Sequence, residues 1–441
     1  MDPIDTMKHH DSLPAVQPIA TRADSTLGAA AIDRESRTVL TAENLWDGTS
    51  LIHHPIMVLE DGLIHSVSTR AKSELPAQAR VLDFPGATLA PAFFDVHIHG
   101  CAGYDAMEAT PIALNAIGSF LASHGTGSFL PTTVTASLDA TLRALSGLAK
   151  LIAQPTPDGQ ARPLGIHLEG PFLSHLKRGV HPPAHLLGPD IRVFDRLFDA
   201  AEGHIRLMTL APELPGALDL AAHAVSRGVR VSLGHSNATA GQTRAAMAAG
   251  AVSATHTFNA MRPLDHREPG ILGIALTAVS LFAELVCDGI HVAPEMVKLW
   301  WKAKGPERAI LITDAMSATG MSDGEYWLGG FAVELADGRA TVNGVLAGSV
   351  LTLDRALANF MRYTAAPLDQ ALRLLTANPA AMTGLQDEAG SIAPGQPANL
   401  VAVSGEGELI ASVMRGRLVA APALSGELVR TAGLEPAATC L

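Results

Sequence analysis

Eight short apolar runs, alternating with helical patterns, constrain this chain more than any other feature. They occupy residues 93–99, 128–134, 164–169, 205–211, 229–235, 253–258, 282–288 and 309–314. Short apolar runs bounded by Gly, Pro or polar residues read as buried strands. Between them lie amphipathic stretches such as 111–123, 138–153, 215–227, 240–249 and 294–302. Strand and helix in eightfold alternation predict an α/β fold, a parallel (β/α)8 barrel of the TIM type. A doubly wound open sheet is the alternative, but no G-x-G-x-x-G follows the first strand.

Such a barrel gathers the carboxyl ends of its strands at one mouth, and several runs here end in ligand-type residues. Leu164–Leu168 is stopped by Gly170-Pro171, which leaves Glu169 at the end of the third strand. His97 and His99 are two apart on the first strand, so they point the same way and suit one cation. His235 and His256 end the fifth and sixth strands. With Glu169 they make a His2Glu set, which leaves a position for water on a catalytic zinc. Asp314 follows the apolar Ile310-Leu-Ile-Thr. It reads as a general base that takes a proton from metal-activated water and returns it to a leaving nitrogen, with a helix cap as the plainer role.

Loop residues extend the set. His181 lies in Lys177-Arg-Gly-Val-His, after the third strand. Asn259, Ala260 and Arg267 share one loop after the sixth, and backbone N–H groups with an Arg are a way to hold phosphate. Arg262 and His266 add positive charge there, and His291 lies just past the seventh strand.

The 441 residues are 48% hydrophobic, ample for one large domain and a smaller one. A net charge of −12 without a basic cluster argues against a nucleic-acid partner. Three scattered cysteines suggest a reducing compartment. No apolar run approaches the roughly 20 residues of a membrane span, and the N-terminal residues lack the order of a signal peptide. The expectation is a soluble, cytoplasmic protein with no membrane partner.

Around the barrel, residues 1–36 read as a flexible extension. Residues 37–90 hold short β-type runs, with Asp61-Gly62 as a hairpin turn. After Asp314 a loop is expected as far as Leu346, followed by helices near 351–363 and 368–377. Residues 387–425 return to β texture and are expected to join 37–90 in a small β-sandwich built from the N- and C-terminal segments. That leaves 91–386 as the catalytic barrel and 426–441 as a tail.

Taken together, the motifs resemble the N-acetylglucosamine-6-phosphate deacetylases of the amidohydrolase superfamily, over about residues 37–405. The resemblance rests on Asp95-Val-His-Ile-His-Gly, His167-Leu-Glu-Gly-Pro-Phe, Lys177-Arg-Gly-Val-His, Leu233-Gly-His-Ser, His256-Thr-Phe-Asn-Ala-Met with Arg267-Glu-Pro-Gly, Asp288-Gly-Ile-His, Thr313-Asp-Ala and Leu346-Ala-Gly-Ser. It implies removal of an acetyl group from an amino-sugar phosphate, with Glu169, His235 and His256 on the principal divalent metal. Zinc is the first expectation; iron, manganese or cobalt are the others. His97 and His99, which some family members lack, imply room for a second ion. Asp314 is implied as acid/base and His181 as the group that shares the oxyanion charge. Val180 and His181, with Asn259, Ala260, Arg267 and His291, are implied as substrate contacts, and Leu346, Ala347 and Gly348 as the lining of the sugar side. In the family the equivalents of Arg267 and His291 come from the neighbouring subunit, which implies a homodimer.

Three other readings compete with this one. Dihydroorotase-like relatives use a carboxylated Lys on the fourth strand, and 205–212 has none. The N-acetylgalactosamine-6-phosphate enzyme differs at one sugar hydroxyl only. A non-catalytic scaffold is expected to lose ligands or the base, and none is missing here.

Overall fold

Eight parallel strands close around one axis. They are β1 (Phe93–Ile98), β2 (Thr126–Thr133), β3 (Ile166–Glu169), β4 (Ile205–Leu210), β5 (Arg230–Leu233), β6 (Ala251–Ala254), β7 (Phe282–Val286) and β8 (Ala309–Ile312). Each pairs in parallel with the next in chain order, and the two-residue strand Arg162–Pro163 adds to β2. This computed structural model describes residues 37–76, 79–419 and 429–431. The expected extension 1–36, and all of the expected tail 426–441 except 429–431, lie outside the described residues.

Closure from β8 back to β1 runs through the residues that carry the chemistry. The Asp314 N–H donates to His97 O at 2.9 Å, and the His99 N–H donates to Ala315 O at 2.8 Å. Ile98 bridges Ala315 in parallel register.

Strand alternation sorts the side chains. On β3, Ile166 and Leu168 point outward into a helix-facing core with Phe194, Leu197 and Leu220. His167 and Glu169 therefore point inward. The helices begin where local chemistry supports it. Pro111–Ser123 has Pro at its first position and Thr110 accepting from the Ala113 N–H.

The terminal segments form a second unit. Thr38–Trp46, Pro55–Glu60, Leu63–Thr69, Arg80–Pro91, Leu400–Val403, Leu409–Met414 and Arg417–Val419 make one largely antiparallel sheet, in which Thr38–Trp46 and Arg80–Pro91 run parallel. The sheet folds over on itself. Its far edge returns at Leu63, which bridges Pro397 just before Leu400–Val403. Leu40, Met57, Leu82, Leu89, Leu400 and Val413 fill the space between. This is the small sandwich expected from the two ends of the chain. Val429–Thr431 adds a further strand against Arg80–Leu82.

One expectation is corrected. The segment read as a loop up to Leu346 carries a four-stranded antiparallel meander: Gly324–Leu328, Phe331–Ala336, Arg339–Val342 and Val345–Leu346. Its three turns are Gly329-Gly330, Asp337-Gly338 and Asn343-Gly344, all at positive φ, the pairs that two-residue hairpins select. Phe331, Val333 and Leu335 are buried while Ala332, Glu334 and Ala336 are exposed, a period of two. The buried face packs on Val134, Val180 and Met316, beside the barrel mouth.

Candidate active site

Glu169 stands at the centre of the mouth and is almost fully buried, with five imidazoles around its carboxylate. Its Oε1 lies 3.1 Å from His256 Nε2 and 3.3 Å from His235 Nε2. Its Oε2 lies 3.2 Å from His99 Nε2, 3.5 Å from His97 Nε2 and 3.6 Å from His181 Nε2. Asp314 Oδ1 faces the same two first-strand histidines, at 3.2 Å from His99 and 3.4 Å from His97.

These atoms form two triangles: Glu169 supplies Oε1 to the first and faces the second with Oε2. Oε1, His235 Nε2 and His256 Nε2 are 3.1–3.3 Å apart. His97 Nε2, His99 Nε2 and Asp314 Oδ1 are 3.2–3.4 Å apart. Ligand atoms about 2.0–2.1 Å from a tetrahedral zinc stand roughly 3.3 Å from one another, so each triangle has the size of a cation's ligand face. The second partners of the rings agree. His235 Nδ1 donates to Lys177 O at 2.9 Å, which leaves Nε2 with its lone pair toward the site. His99 Nδ1 lies 3.3 Å from Thr132 O, which sets its ring the same way.

His235, His256 and Asp314 share a backbone device. Each sits two residues past the end of its strand at positive φ: 45°, 29° and 52°. Non-glycine residues seldom occupy this region, and each costs on the order of 1–3 kcal/mol. The chain turns sharply there and brings the side chain back over the barrel axis. Neighbouring hydrogen bonds hold the turns: the Thr257 N–H donates to Glu284 O at 2.7 Å and the Ser236 N–H to Ala260 O at 3.0 Å.

The carboxylates and imidazoles set one another's protonation. Burial alone would raise the pKa of Asp314; the His97 and His99 charges outweigh it and bring it down to about 2. Burial opposes ionisation of Glu169 too, and is outweighed by His97 and by hydrogen bonds from His181, His235 and His256. His181 is lowered as well, to about 4, through burial and its neighbour His235, which in an imidazole favours the neutral form. It is a neutral imidazole at pH 7.

His181 also has a defined tautomer. The Thr135 N–H reaches its Nδ1 at 3.3 Å, and Thr135 Oγ1 lies 2.8 Å from the same nitrogen. Nδ1 is therefore the acceptor, and Nε2 carries the proton and points into the site. That makes His181 a hydrogen-bond donor toward a ligand, although its Nε2 lies close enough to Glu169 and His235 to complete a metal-sized group. Gly170 permits this arrangement. A Cβ there would lie 2.1 Å from Thr135 Oγ1.

The remaining sequence candidates fall around the same mouth. Gly348 backs onto Asp314, whose carbonyl accepts from the Ser349 N–H at 2.7 Å. Leu346 ends the meander and Ala347 is buried under it. Val180 packs against that meander. Asn259 and Ala260 are half-buried on the turn after His256. Arg267 is the outlier: it is exposed, on a loop tied by the Asp265 carboxylate to its own N–H. His291 lies just past β7. Its side chain is only 8% exposed, its Nδ1 lies 2.6 Å from Asp288 Oδ2, and the charge of Asp314 acts on it.

Two residues of this site were not found from the sequence. Thr135 looks like an ordinary end-of-strand threonine. Glu284 is fully buried inside the barrel, where its Oε1 accepts from Ser253 Oγ at 2.9 Å and Ser232 Oγ at 3.2 Å. A lone carboxylate within Leu281-Phe-Ala-Glu-Leu-Val was the available signal.

A buried cluster of carboxylates and imidazoles at the mouth of a parallel barrel is the layout of a metal-dependent hydrolase. The model of the amidohydrolase family matches residues 88–429, and the chain belongs to that family. Within it, the similarity is to deacetylases of amino-sugar phosphates. The N-acetylgalactosamine-6-phosphate deacetylase of Escherichia coli O157:H7 is 38% identical over 83% of this chain and 94% of that protein. The N-acetylglucosamine-6-phosphate deacetylase of Vibrio furnissii is 38% identical over 75% of this chain and 82% of its own length. Among solved structures, a mutant N-acetyl-D-glucosamine-6-phosphate deacetylase of Mycobacterium smegmatis, in complex with N-acetyl-D-glucosamine-6-phosphate, superposes with a TM-score of 0.81. It is 37% identical, over 87% of this chain and 99% of that one.

Proposed function

We propose that this chain hydrolyses the N-acetyl group of N-acetyl-D-glucosamine 6-phosphate, yielding D-glucosamine 6-phosphate and acetate in amino-sugar catabolism. The observation that carries the reading is the mouth itself: two ligand triangles, one built on Glu169 and one facing it, with an ionised Asp314 and a neutral, proton-bearing His181. Relatives 36–38% identical act on N-acetylglucosamine 6-phosphate or its galactosamine epimer, as their names state.

Glu169, His235 and His256 would hold the principal divalent ion, and His97, His99 and Asp314 a second. Zinc suits the nitrogen and oxygen donors; iron, manganese and cobalt are the alternatives. Such an ion supplies Lewis acidity that polarises the acetyl carbonyl and lowers the pKa of water. Asp314 accepts the proton of the attacking water as its oxygen adds to the acetyl carbon. His181 donates its Nε2–H to the oxygen on which negative charge develops. Asp314 then returns the proton to the amide nitrogen, the C–N bond breaks, and acetate and the free amine leave.

Asn259 and Ala260 line the phosphate side of the mouth in this reading, and Leu346, Ala347 and Gly348 the sugar side, with Val180 beside His181. In a homodimer, Arg267 and His291 reach the phosphate in the neighbouring subunit's site. The enzyme works in the cytoplasm; among the described residues no helix is long and apolar enough to cross a membrane. A second reading, the N-acetylgalactosamine-6-phosphate substrate, is favoured by the Escherichia coli relative.

The test is acetate release. Protein stripped of metal by a chelator should be inactive on N-acetyl-D-glucosamine 6-phosphate. Zinc should restore one acetate per amino-sugar phosphate formed. Full turnover by metal-free protein would overturn the reading.

A further inference from the structure

Behind His97, on the side away from the ligand triangles, lies a second carboxylate. Glu284 sits on β7 with no exposure, and its Oε1 is fixed by the hydroxyls of Ser232 and Ser253. Those hydroxyls belong to a rigid chain. The Thr255 hydroxyl donates to Ser232 Oγ at 2.7 Å and lies 2.9 Å from that of Thr209, which meets His167 Nε2 at 2.8 Å. The His167 ring packs edge-on against His97, with centroids 4.6 Å apart.

Among the described residues, Glu284 Oε2 has no hydrogen-bond partner, and neither has His97 Nδ1. Both are buried, and they face each other at 3.9 Å. They are the two halves of one hydrogen bond, about 1 Å beyond its normal reach. A buried carboxylate oxygen without a partner is unfavourable, so the pair has a reason to close. Elsewhere in the cluster neutral carbonyls do this work: Lys177 O for His235 and Thr132 O for His99. Only His97 is backed by a charge.

We propose that Glu284 is the positioning residue for His97: its Oε2 accepts from the Nδ1–H, fixes that tautomer, and turns the Nε2 lone pair toward an ion held with His99 and Asp314. The inference rests on the reading of His97, His99 and Asp314 as an ion site. A carboxylate behind a ligating histidine orients the ring and strengthens it as a donor. The consequence is selective. The second ion depends on Glu284, whereas the ion at Glu169, His235 and His256 does not.

The test is zinc titration of chelator-stripped protein against a competing chelator, for the wild type, E284Q, E284D, H97A and H97A/E284Q. The wild type should take up two ions. E284Q should bind the second about 10–100-fold more weakly and the first within about threefold of wild type. E284D, which keeps the charge, should recover part of the loss. In H97A, adding E284Q should change nothing further, because the ring it acts through is gone. The proposal is overturned if E284Q binds the second ion as tightly as the wild type, if it weakens both ions equally, or if it still lowers affinity in H97A. A wild type that takes up one ion, with H97A indistinguishable from it, would instead remove the second ion site, and the inference with it.

Discussion

Replacing Asp314 by Asn separates proton transfer from everything else this residue does. The backbone at 314 has φ 52°, a region Asn tolerates better than most residues, so the turn should survive. Asn keeps the size of the side chain and one oxygen to face His97 and His99, which lie 3.4 and 3.2 Å from the native carboxylate. It cannot accept a proton from water or return one to nitrogen. A positioned acid–base is worth about 10²–10⁴ in rate, or roughly 3–5 kcal/mol of barrier at 1.36 kcal/mol per decade. Asp314→Asn should therefore lower kcat by two to four decades while KM stays within a few-fold. The ion at Glu169, His235 and His256 should remain, because Asp314 is not one of its ligands. The assays are steady-state acetate release and metal content on the same sample. Turnover within a few-fold of wild type would mean that Asp314 is only a ligand or a turn residue, and that the proton goes elsewhere.

Other outcomes follow from the same geometry. Glu169→Gln, His235→Ala and His256→Ala should each strip the principal ion, and unchanged metal content in all three would remove the assignment. Arg267→Ala should lower kcat/KM for the phosphorylated sugar by about 2 kcal/mol, close to 30-fold, as for a charge-assisted contact, and leave unphosphorylated N-acetylglucosamine nearly untouched. Equal losses on both substrates would mean that it does not read phosphate. Thr135→Val removes the hydroxyl 2.8 Å from His181 Nδ1, and with it about 1 kcal/mol of positioning, so kcat should drop roughly five- to tenfold with metal content unchanged.

The barrel was legible because its signals repeat. Eight buried strands at regular spacing leave few alternatives, and residues at strand ends must meet at one mouth. His97, His99, Glu169, His235, His256 and Asp314 could therefore be assembled before any geometry was known. The positive φ of His235, His256 and Asp314 could not, since none is a glycine or falls in a recognisable turn pair. The meander at 324–346 could have been read. Asp337-Gly338 and Asn343-Gly344 are strong hairpin turns, but a parallel barrel needs no further strands after its eighth. Donor and acceptor sense lay beyond the sequence altogether. That His181 offers a proton rather than a lone pair depends on the Thr135 N–H, 46 positions away. Glu284 was hidden for a similar reason: on β7 it reads as one polar residue in an apolar strand, and its meaning comes only from His97 across the barrel.

The most direct measurement compares kcat/KM for acetate release from N-acetyl-D-glucosamine 6-phosphate, N-acetyl-D-galactosamine 6-phosphate and unphosphorylated N-acetylglucosamine, on zinc-loaded protein of measured metal content. The account predicts the highest value for the glucosamine phosphate, and a value lower by tenfold or more without the phosphate. A preference for the galactosamine epimer would move the substrate assignment within the same chemistry. Failure to release acetate from either phosphate, by protein carrying at least one ion per chain, would contradict the account.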